Sequence, residues 1–162
     1  MPIHAITPTE ALAEEGRFDA IIDARSPSEF ALDHIPNAQN WPSLDDDQRV
    51  LIGTLYKQVN TFEAKKQGAA LVARNIAAHI DNHLVDVPRT WQPLVYCWRG
   101  GNRSGALATV LSAIGFHVHL ITGGYKAFRA MVMAQTPERV TALRYRVIAG
   151  ATGVGKTHVL HA

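Results

Sequence analysis

The fold is decided by one stretch, Leu94-Val95-Tyr96-Cys97-Trp98-Arg99-Gly100-Gly101-Asn102-Arg103-Ser104. Its first residues form an apolar run that is typical of a buried strand. A helical pattern begins directly after the loop, with apolar side chains at Ala106, Leu107, Val110, Leu111 and Ile114. The sequence therefore predicts a strand–loop–helix unit that carries the single cysteine of the chain, Cys97, at the end of the strand.

The loop has the composition of an anion-binding site. Backbone N–H groups converge where a helix begins, and glycines permit the tight backbone that such a cradle needs. A thiolate placed there is stabilised by the N–H dipoles and by neighbouring arginines. A lone cysteine is more often a buried small hydrophobic residue, but this setting predicts that Cys97 is a reactive nucleophile. The predicted anion-binding or donor-binding residues are Trp98, Arg99, Gly100, Gly101, Asn102 and Arg103.

Composition narrows the class of protein. The chain has 162 residues, of which 47% are hydrophobic and 19% charged, as expected for a globular domain with a core. The net charge of +2 permits a phosphate or RNA partner without requiring one. A single cysteine excludes an internal disulfide framework and fits a reducing compartment. Because the sequence shows neither a signal peptide nor a membrane span, we expect a cytoplasmic protein with no membrane partner.

The segments around the loop predict alternating strands and helices. We expect strands over 18–25 and 117–122, a helix over 125–134, and a helical insertion over 44–90 that consists of two helices separated near Asn60-Thr61. His79 and His83 have the four-residue spacing of a helical metal pair. Because no third ligand is in view, we interpret them as a solvated helix face and predict no metal site.

The end of the chain carries a second motif. Gly150-Ala151-Thr152-Gly153-Val154-Gly155-Lys156-Thr157 matches the P-loop pattern and follows a predicted strand over 145–149. Glycine N–H groups surround phosphates in such a loop, the lysine reaches them, and the hydroxyl holds Mg²⁺. The predicted phosphate-binding residues are Gly150, Gly153, Gly155, Lys156 and Thr157. We therefore expect one domain over 1–136, followed over 137–162 by a linker and the truncated start of a P-loop domain.

A resemblance to a known family appears near the first predicted strand. Asp23-Ala24-Arg25, Glu29-Phe30 and the run from His34 to Asn40 resemble the first signature of the rhodanese family of sulfurtransferases. Taken singly, Arg25 and Glu29 are equally typical of a surface ion pair, and His34 of a turn histidine. The resemblance implies a three-layer α/β/α domain with a mainly parallel sheet, in which Asp23 and Arg25 support the cysteine loop.

A rhodanese-like domain joined to a P-loop domain is a rare combination. Together with Tyr96–Gly101, Gly123-Gly124-Tyr125-Lys126 and Leu55–Val59, it resembles the N-terminal part of the bacterial tRNA 2-selenouridine synthase family. That resemblance implies a transferase that replaces the sulfur of a wobble 2-thiouridine in tRNA by selenium, through a geranylated intermediate. It implies selenophosphate and geranyl diphosphate as co-substrates, no tightly bound cofactor, and a selenophosphate-supplying enzyme as a further partner. It also implies that Cys97 is a thiolate or perselenide carrier.

Two other classes of function stay open from the sequence. Cys97 and Arg103 have the C-x5-R spacing of cysteine-based phosphatases and arsenate reductases, and a wide loop suits a tetrahedral anion. No Asp or Glu lies between these two residues, so the loop itself supplies no general acid. The third class is a non-catalytic module that binds tRNA or a partner through the inserted helices.

Overall fold

The computed structural model describes residues 2–58, 60–144 and 147–160. The strands are β1 (His4–Ile6), β2 (Ala20–Asp23), β3 (Ala38–Asn40), β4 (Pro93–Tyr96) and β5 (His119–Ile121). The helices are α1 (Pro8–Ala13), α2 (Pro27–Leu32), α3 (Asp46–Gln58), α4 (Thr61–His83), α5 (Asn102–Ile114), α6 (Gly124–Thr141) and α7 (Lys156–Leu160). Contacts divide the chain into two units, residues 1–131 and 132–162.

The first unit is built on a five-stranded sheet in which every neighbouring pair is parallel. The strand order is β1-β5-β4-β2-β3, so β4 is the central strand. Ile22 of β2 pairs with Val95 of β4, and Leu94 pairs with His119 of β5. The predicted parallel sheet is confirmed, and Cys97 follows the last residue of its central strand. The carboxyl ends of parallel strands meet at one edge, which places the cysteine loop at that edge.

Helices cover both faces of the sheet. On one face Ile22, Val95 and Cys97 pack with α4 and α5, through residues such as Ile76 and Leu107. On the other face the core includes Ile6, Ala11, Ile21, Ile35, Leu94, Tyr96, Ile121 and Tyr125. Because neighbouring residues of β2 and β4 are buried on opposite faces, these strands lack the polar alternation of a one-sided sheet. The three-layer α/β/α architecture is confirmed.

The short helix α2 begins as its sequence predicts. Ser26 is the N-cap, Pro27 occupies the first helical position, and the Glu29 side chain returns to the Ser26 backbone in a capping box. Proline at this position loses no hydrogen bond, because the first N–H groups of a helix have no partner inside it. The cap fixes Glu29 on the first turn of α2, next to the end of β2.

The structure differs from the sequence expectations in three places. β1 and β3 were not expected, because neither of these three-residue strands lies in a longer alternating run, as the equally short β5 does within 117–122. Helix α6 continues through Pro137, where the sequence predicted a linker; Pro137 has no N–H to donate to the carbonyl of Met133, and beside it the Thr136 hydroxyl donates to the carbonyl of Val132. The strand expected over 145–149 does not form over 147–149, and its first two residues lie outside the described ranges.

The region predicted as a helical insertion contains α3 and α4, which pack against each other and which we call the helical pair. They separate where expected, since the Asn60 side chain caps α4 by accepting from the N–H groups of Phe62 and Glu63. The interpretation of His79 and His83 as a solvated face holds for His83, which is exposed, whereas His79 is half-buried. Both rings stack on Trp41, at 5.7 and 4.7 Å between centroids.

The described residues offer neither a metal site nor a membrane span. No group of three or more His, Cys, Asp or Glu side chains there is placed to hold a metal ion. No helix among the same residues has the length and apolar character needed to cross a bilayer.

Candidate active site

Cys97 occupies the junction between β4 and the first turn of α5. The residue is 3% exposed and its thiol is free. The Ser104 hydroxyl donates a hydrogen bond to the Cys97 sulfur over 3.0 Å, from the third position of α5. The sulfur therefore lies where the partial positive charge of the helix start is greatest. A negative charge on it receives both a hydrogen bond and the helix dipole.

The backbone carbonyls of Cys97 and Trp98 accept hydrogen bonds from the start of α6. The backbone N–H of Tyr125 donates to the carbonyl of Cys97 over 2.8 Å, and that of Lys126 donates to the carbonyl of Trp98 over 3.0 Å. In a trans peptide the N–H points away from the carbonyl that shares its plane. The N–H groups of Trp98 and Arg99 therefore point away from α6. The start of α6 thus sets the orientation of the loop.

Two glycines make this close approach feasible. Gly100 and Gly124 both have left-handed backbone, with φ of +66° and +60°. A Cβ on Gly124 would lie 2.2 Å from the carbonyl oxygen of Cys97 and 2.6 Å from the nitrogen of Gly100. A Cβ on Gly100 would lie 2.9 Å from the carbonyl oxygen of Ile121. The loop and the turn before α6 therefore fit together only without side chains at these two positions.

Asp23 and Arg25, the predicted supporting residues, form a buried ion pair beneath the loop. The Arg25 Nη2 lies 2.6 Å from the Asp23 carboxylate and 2.6 Å from the carbonyl of Asp33. The guanidinium also stacks on the ring of Tyr125, 4.1 Å from its centroid. Burial, with the hydrogen bond from Tyr125 to the Asp33 carboxylate, raises the pKa of Tyr125 to about 12. The alternative of a surface ion pair between Arg25 and Glu29 is wrong, because Arg25 is buried against Asp23.

Arg103 is bound by Glu29 of α2. The Arg103 Nη1 donates to Glu29 Oε2 over 2.6 Å, and Nη2 donates to Oε1 over 3.4 Å. Burial alone would raise the pKa of Glu29, but Arg103, Ser26 and Arg49 together lower it below the ordinary value. The Glu29 carboxylate is therefore ionised and binds Arg103 through Nη1 and Nη2. Among the described residues, no other side chain accepts a hydrogen bond from this guanidinium.

The other predicted loop residues differ in exposure. Trp98 is half-buried, with its ring 5.9 Å from that of Tyr125, so packing already uses one face of it. Arg99, Gly101 and Asn102 are exposed. Within the described residues Arg99 forms no ion pair, so its charge is available to an incoming anion.

The predicted P-loop forms a turn followed by α7. Gly153 and Gly155 have left-handed backbone, with φ of +86° and +81°, and α7 begins at Lys156. The Lys156 ammonium donates to the carbonyls of Gly150 and Ala151 over 2.9 and 2.7 Å. Thr157 is exposed. In this conformation the Lys156 side chain binds the backbone of its own loop.

Sequence reasoning missed three residues that contact the site. The sequence analysis gives Ser104 no role in the site, although it occupies the third helical position, from which a side chain reaches back toward the helix start. The sequence indicates Glu29 as a helix cap, as part of a signature or as a partner of Arg25, and nothing local indicates that it binds Arg103, 74 residues away. Ser43, whose hydroxyl donates to the Arg103 carbonyl, carries no sequence signal.

Comparison with known proteins gives curated relatives named tRNA 2-selenouridine synthase. The tRNA 2-selenouridine synthases of Sulfurovum sp. (strain NBC37-1) and Nitrosomonas europaea are 37% and 35% identical to this chain, over 86% and 87% of it. This chain spans 39% and 37% of the length of those two relatives.

Solved structures agree on the fold. The N-terminal domain of a Clostridium difficile 630 protein described as ATP/GTP-binding is 32% identical, with a TM-score of 0.65 over 80% of this chain and 98% of that domain. A rhodanese-related protein from Thermoplasma volcanium, 17% identical, has a TM-score of 0.51 over 79% of this chain and 92% of its own and shows the fold alone. The rhodanese-like domain family itself matches residues 7–131, which include the sheet and the cysteine loop. This chain therefore belongs to the family of rhodanese-like domains.

Proposed function

We propose that this chain is the part of a tRNA 2-selenouridine synthase that handles sulfur and selenium, with Cys97 as its nucleophile. One observation carries the proposal: the Cys97 sulfur lies at the start of α5 and accepts a hydrogen bond from Ser104 over 3.0 Å. Relatives with that name, 33–38% identical to this chain, support the choice of reaction.

The proposed role of Cys97 follows from its surroundings. The thiolate is the reactive form of a cysteine, and a hydrogen-bond donor together with a helix start stabilises it. When the thiolate attacks the outer sulfur or selenium atom of a persulfide or perselenide donor, the S–S or S–Se bond of the donor breaks, its thiolate leaves, and the transferred atom on Cys97 carries the negative charge. That atom extends into the loop, where the N–H groups of Trp98 and Arg99 and those of the first turn of α5 stabilise it. Cys97 thereby acts as the persulfide or perselenide carrier.

The proposed co-substrates are selenophosphate and geranyl diphosphate. Both carry phosphate oxyanions, and arginine binds such groups through paired N–H donors. Arg103 and the exposed Arg99 are the cations of the loop that are placed to bind the donor. Attachment of geranyl to the sulfur of 2-thiouridine releases diphosphate. Selenium then replaces that sulfur on the base, the carbon–sulfur bond to the base breaks, and geranyl thiolate leaves.

The proposed macromolecular partner is tRNA, in the cytoplasm. Lys126 and Arg129 follow the turn that binds the loop, and both are exposed. Neither forms an ion pair with another described residue, and the same holds for Arg99. Unpaired cations beside a reactive group suit the phosphate backbone of RNA. A selenophosphate-supplying enzyme is a second proposed partner.

The phosphatase alternative is less well supported. A cysteine phosphatase needs a protonated acid to donate to its leaving group. Glu29 is the carboxylate that contacts Arg103, and its pKa is lowered by that contact despite burial. An ionised carboxylate held by two arginines cannot donate a proton. Hydrolysis of an aryl phosphate by this chain, abolished in Cys97→Ser, would favour the phosphatase reading.

We also propose that residues 137–162 contain the start of a P-loop domain, with Gly150, Gly153, Gly155, Lys156 and Thr157 as its phosphate-binding residues. The glycine backbone at Gly153 and Gly155 and the helix that begins at Lys156 support this assignment. The residues before Pro137 then form the rhodanese-like domain.

The proposal is tested by mass spectrometry of tRNA nucleosides. Cells that lack the full-length gene are complemented with the wild-type gene, with Cys97→Ala, or with Asn82→Ala, an exposed substitution on α4. We expect 2-selenouridine with the wild type and Asn82→Ala, and a loss of more than tenfold with Cys97→Ala. Wild-type levels of 2-selenouridine with Cys97→Ala would overturn the assignment of the nucleophile.

A further inference from the structure

We propose that the helical pair positions Arg103 for oxyanion binding, with Ser43 and Asn75 as positioning residues. The inference rests on the proposed function only in taking the Cys97 loop to bind an oxyanion. Two separate sets of hydrogen bonds lead from the helical pair to Arg103. One reaches its backbone and the other its guanidinium.

The backbone contact comes from the segment between β3 and α3. Ser43 is 1% exposed, and its hydroxyl donates to the carbonyl of Arg103 over 2.9 Å. That carbonyl belongs to the first turn of α5, one residue before Ser104, which contacts the Cys97 sulfur. Ser43 therefore contacts the backbone of the part of the loop where an anion would bind.

Helix α4 fixes the position of Ser43. The Asn75 amide donates to the carbonyl of Ser43 over 3.0 Å and to the side-chain carbonyl of Gln48 on α3 over 2.6 Å. One turn later, His79 Nε2 donates to the carbonyl of Pro42 over 3.0 Å. Two successive carbonyls of this segment are thus bound by α4. Because Asn75 uses two donors, it joins both helices of the pair to Ser43.

The contact from the helical pair to the Arg103 guanidinium is made by way of Glu29 on α2. Glu29 Oε2 accepts from Arg103 Nη1 over 2.6 Å and lies 3.4 Å from Nε of Arg49 on α3. Asp46, at the start of α3, accepts from the Ser28 hydroxyl over 2.6 Å, which binds α3 to the turn that carries Glu29. One carboxylate between two guanidinium groups leaves an excess of one positive charge. Arginine has five donors, so Arg103 retains donors for a ligand after binding Glu29.

The experiment compares two alkylating reagents on the 162-residue chain. The Cys97 thiolate attacks the methylene carbon of iodoacetate or iodoacetamide, a carbon–sulfur bond forms and iodide leaves. Iodoacetate carries a carboxylate, whereas iodoacetamide is neutral and nearly the same size. The ratio of the two rates therefore measures how well the site attracts an oxyanion, and Arg103→Ala sets its lower reference.

Asn75→Ala and Ser43→Ala remove hydrogen bonds without removing a charge. We expect each to lower the rate ratio about threefold or more, toward the value of Arg103→Ala. Neither should lower the ratio further in the Arg103→Ala background, because a positioning residue acts only through Arg103. Asn82→Ala, the same change at an exposed position of α4, should leave the ratio unchanged.

Two results would overturn the inference. One is an unchanged ratio in both single variants, including the case in which both rates change by the same factor. The other is an unchanged ratio in Arg103→Ala. If Asn75→Ala does not fold, Ser43→Ala decides the question. The readout involves no tRNA, so absence of tRNA selenation in cells together with a lowered ratio would reject the proposed function and keep this inference.

Discussion

At Gly124 the loop backbone comes closer than any side chain allows. A Cβ there would lie 2.2 Å from the Cys97 carbonyl oxygen, and φ of +60° is itself unfavourable for other residues. We expect Gly124→Ala to lower the free energy of unfolding by about 3 kcal/mol or more, because backbone must move and strain adds to the clash. Urea denaturation followed by tryptophan fluorescence measures the change.

Gly53→Ala is the matched control for that substitution. Gly53 lies inside α3, and no atom lies within 4 Å of the place its Cβ would take. Alanine should stabilise the chain there by about 0.5–1 kcal/mol, because it favours helix over the unfolded state. Equal stability of Gly124→Ala and the wild type would contradict the close fit of loop and turn.

Single residues of the site differ in how far sequence predicts them. Cys97 and its glycines are adjacent in the chain, so a strand pattern followed by a helix pattern is enough to place them at a helix start. Glu29 and Arg103 are 74 residues apart, and their contact exists only because α2 and α5 both begin at the same edge of the sheet. Sequence predicts the thiol of this site but not the carboxylate that binds its arginine.

Among the helices, α4 carries a titratable group that links stability to pH. Burial lowers the pKa of His79, the hydrogen bond to the Pro42 carbonyl opposes that shift, and His83 adds to it. The unfolded chain therefore binds this proton at a higher pH than the folded chain does. The contribution of neutral His79 to the free energy of unfolding is fully present above about pH 6.5, the ordinary pKa of histidine. It is lost as the pH falls toward the lower pKa that His79 has in the folded chain.

We expect urea denaturation to show a lower free energy of unfolding at pH 5.5 than at pH 7.5. His79→Gln keeps a donor for the Pro42 carbonyl but cannot titrate, so it should reduce that difference. His119, whose pKa is lowered by burial and then by Arg17, accounts for part of what remains. His158→Gln, at an exposed position, is the control. A pH dependence as large in His79→Gln as in the wild type would refute this role.

The sequence predicts those helices and strands whose boundaries depend on residues that are close together in the chain. The capping box from Ser26 to Glu29 and the cap at Asn60 place the starts of α2 and α4, because each cap involves residues within one turn. β1 and β3 are edge strands of three residues, formed by pairing with β5 and β2, and neither lies in a longer alternating run. Pro137 stops no helix here, which shows that a proline alone is a weak boundary signal.

On the scale of the whole chain, the P-loop motif over 150–157 lies within the second unit, residues 132–162. Lys156 binds the carbonyls of Gly150 and Ala151, and a phosphate would have to displace both hydrogen bonds. We therefore expect the 162-residue chain to bind Mg-nucleotide or geranyl diphosphate weakly, with dissociation constants of about 1 mM or higher. Isothermal titration calorimetry measures this. Micromolar binding that Lys156→Ala abolishes would show the expectation to be wrong.

The contacts from Tyr125 and Lys126 to the loop carbonyls also set an order of events during translation. Cys97 leaves the ribosome before β5 and the first turn of α6, which follow it by more than twenty residues. β1, made first, acquires its partner only when β5 appears. Until then β4 can pair with β2 but not with β5, and the groups that orient the Cys97 loop have not been made. The loop that carries Cys97 thus becomes fixed late in synthesis, when β5 completes the sheet.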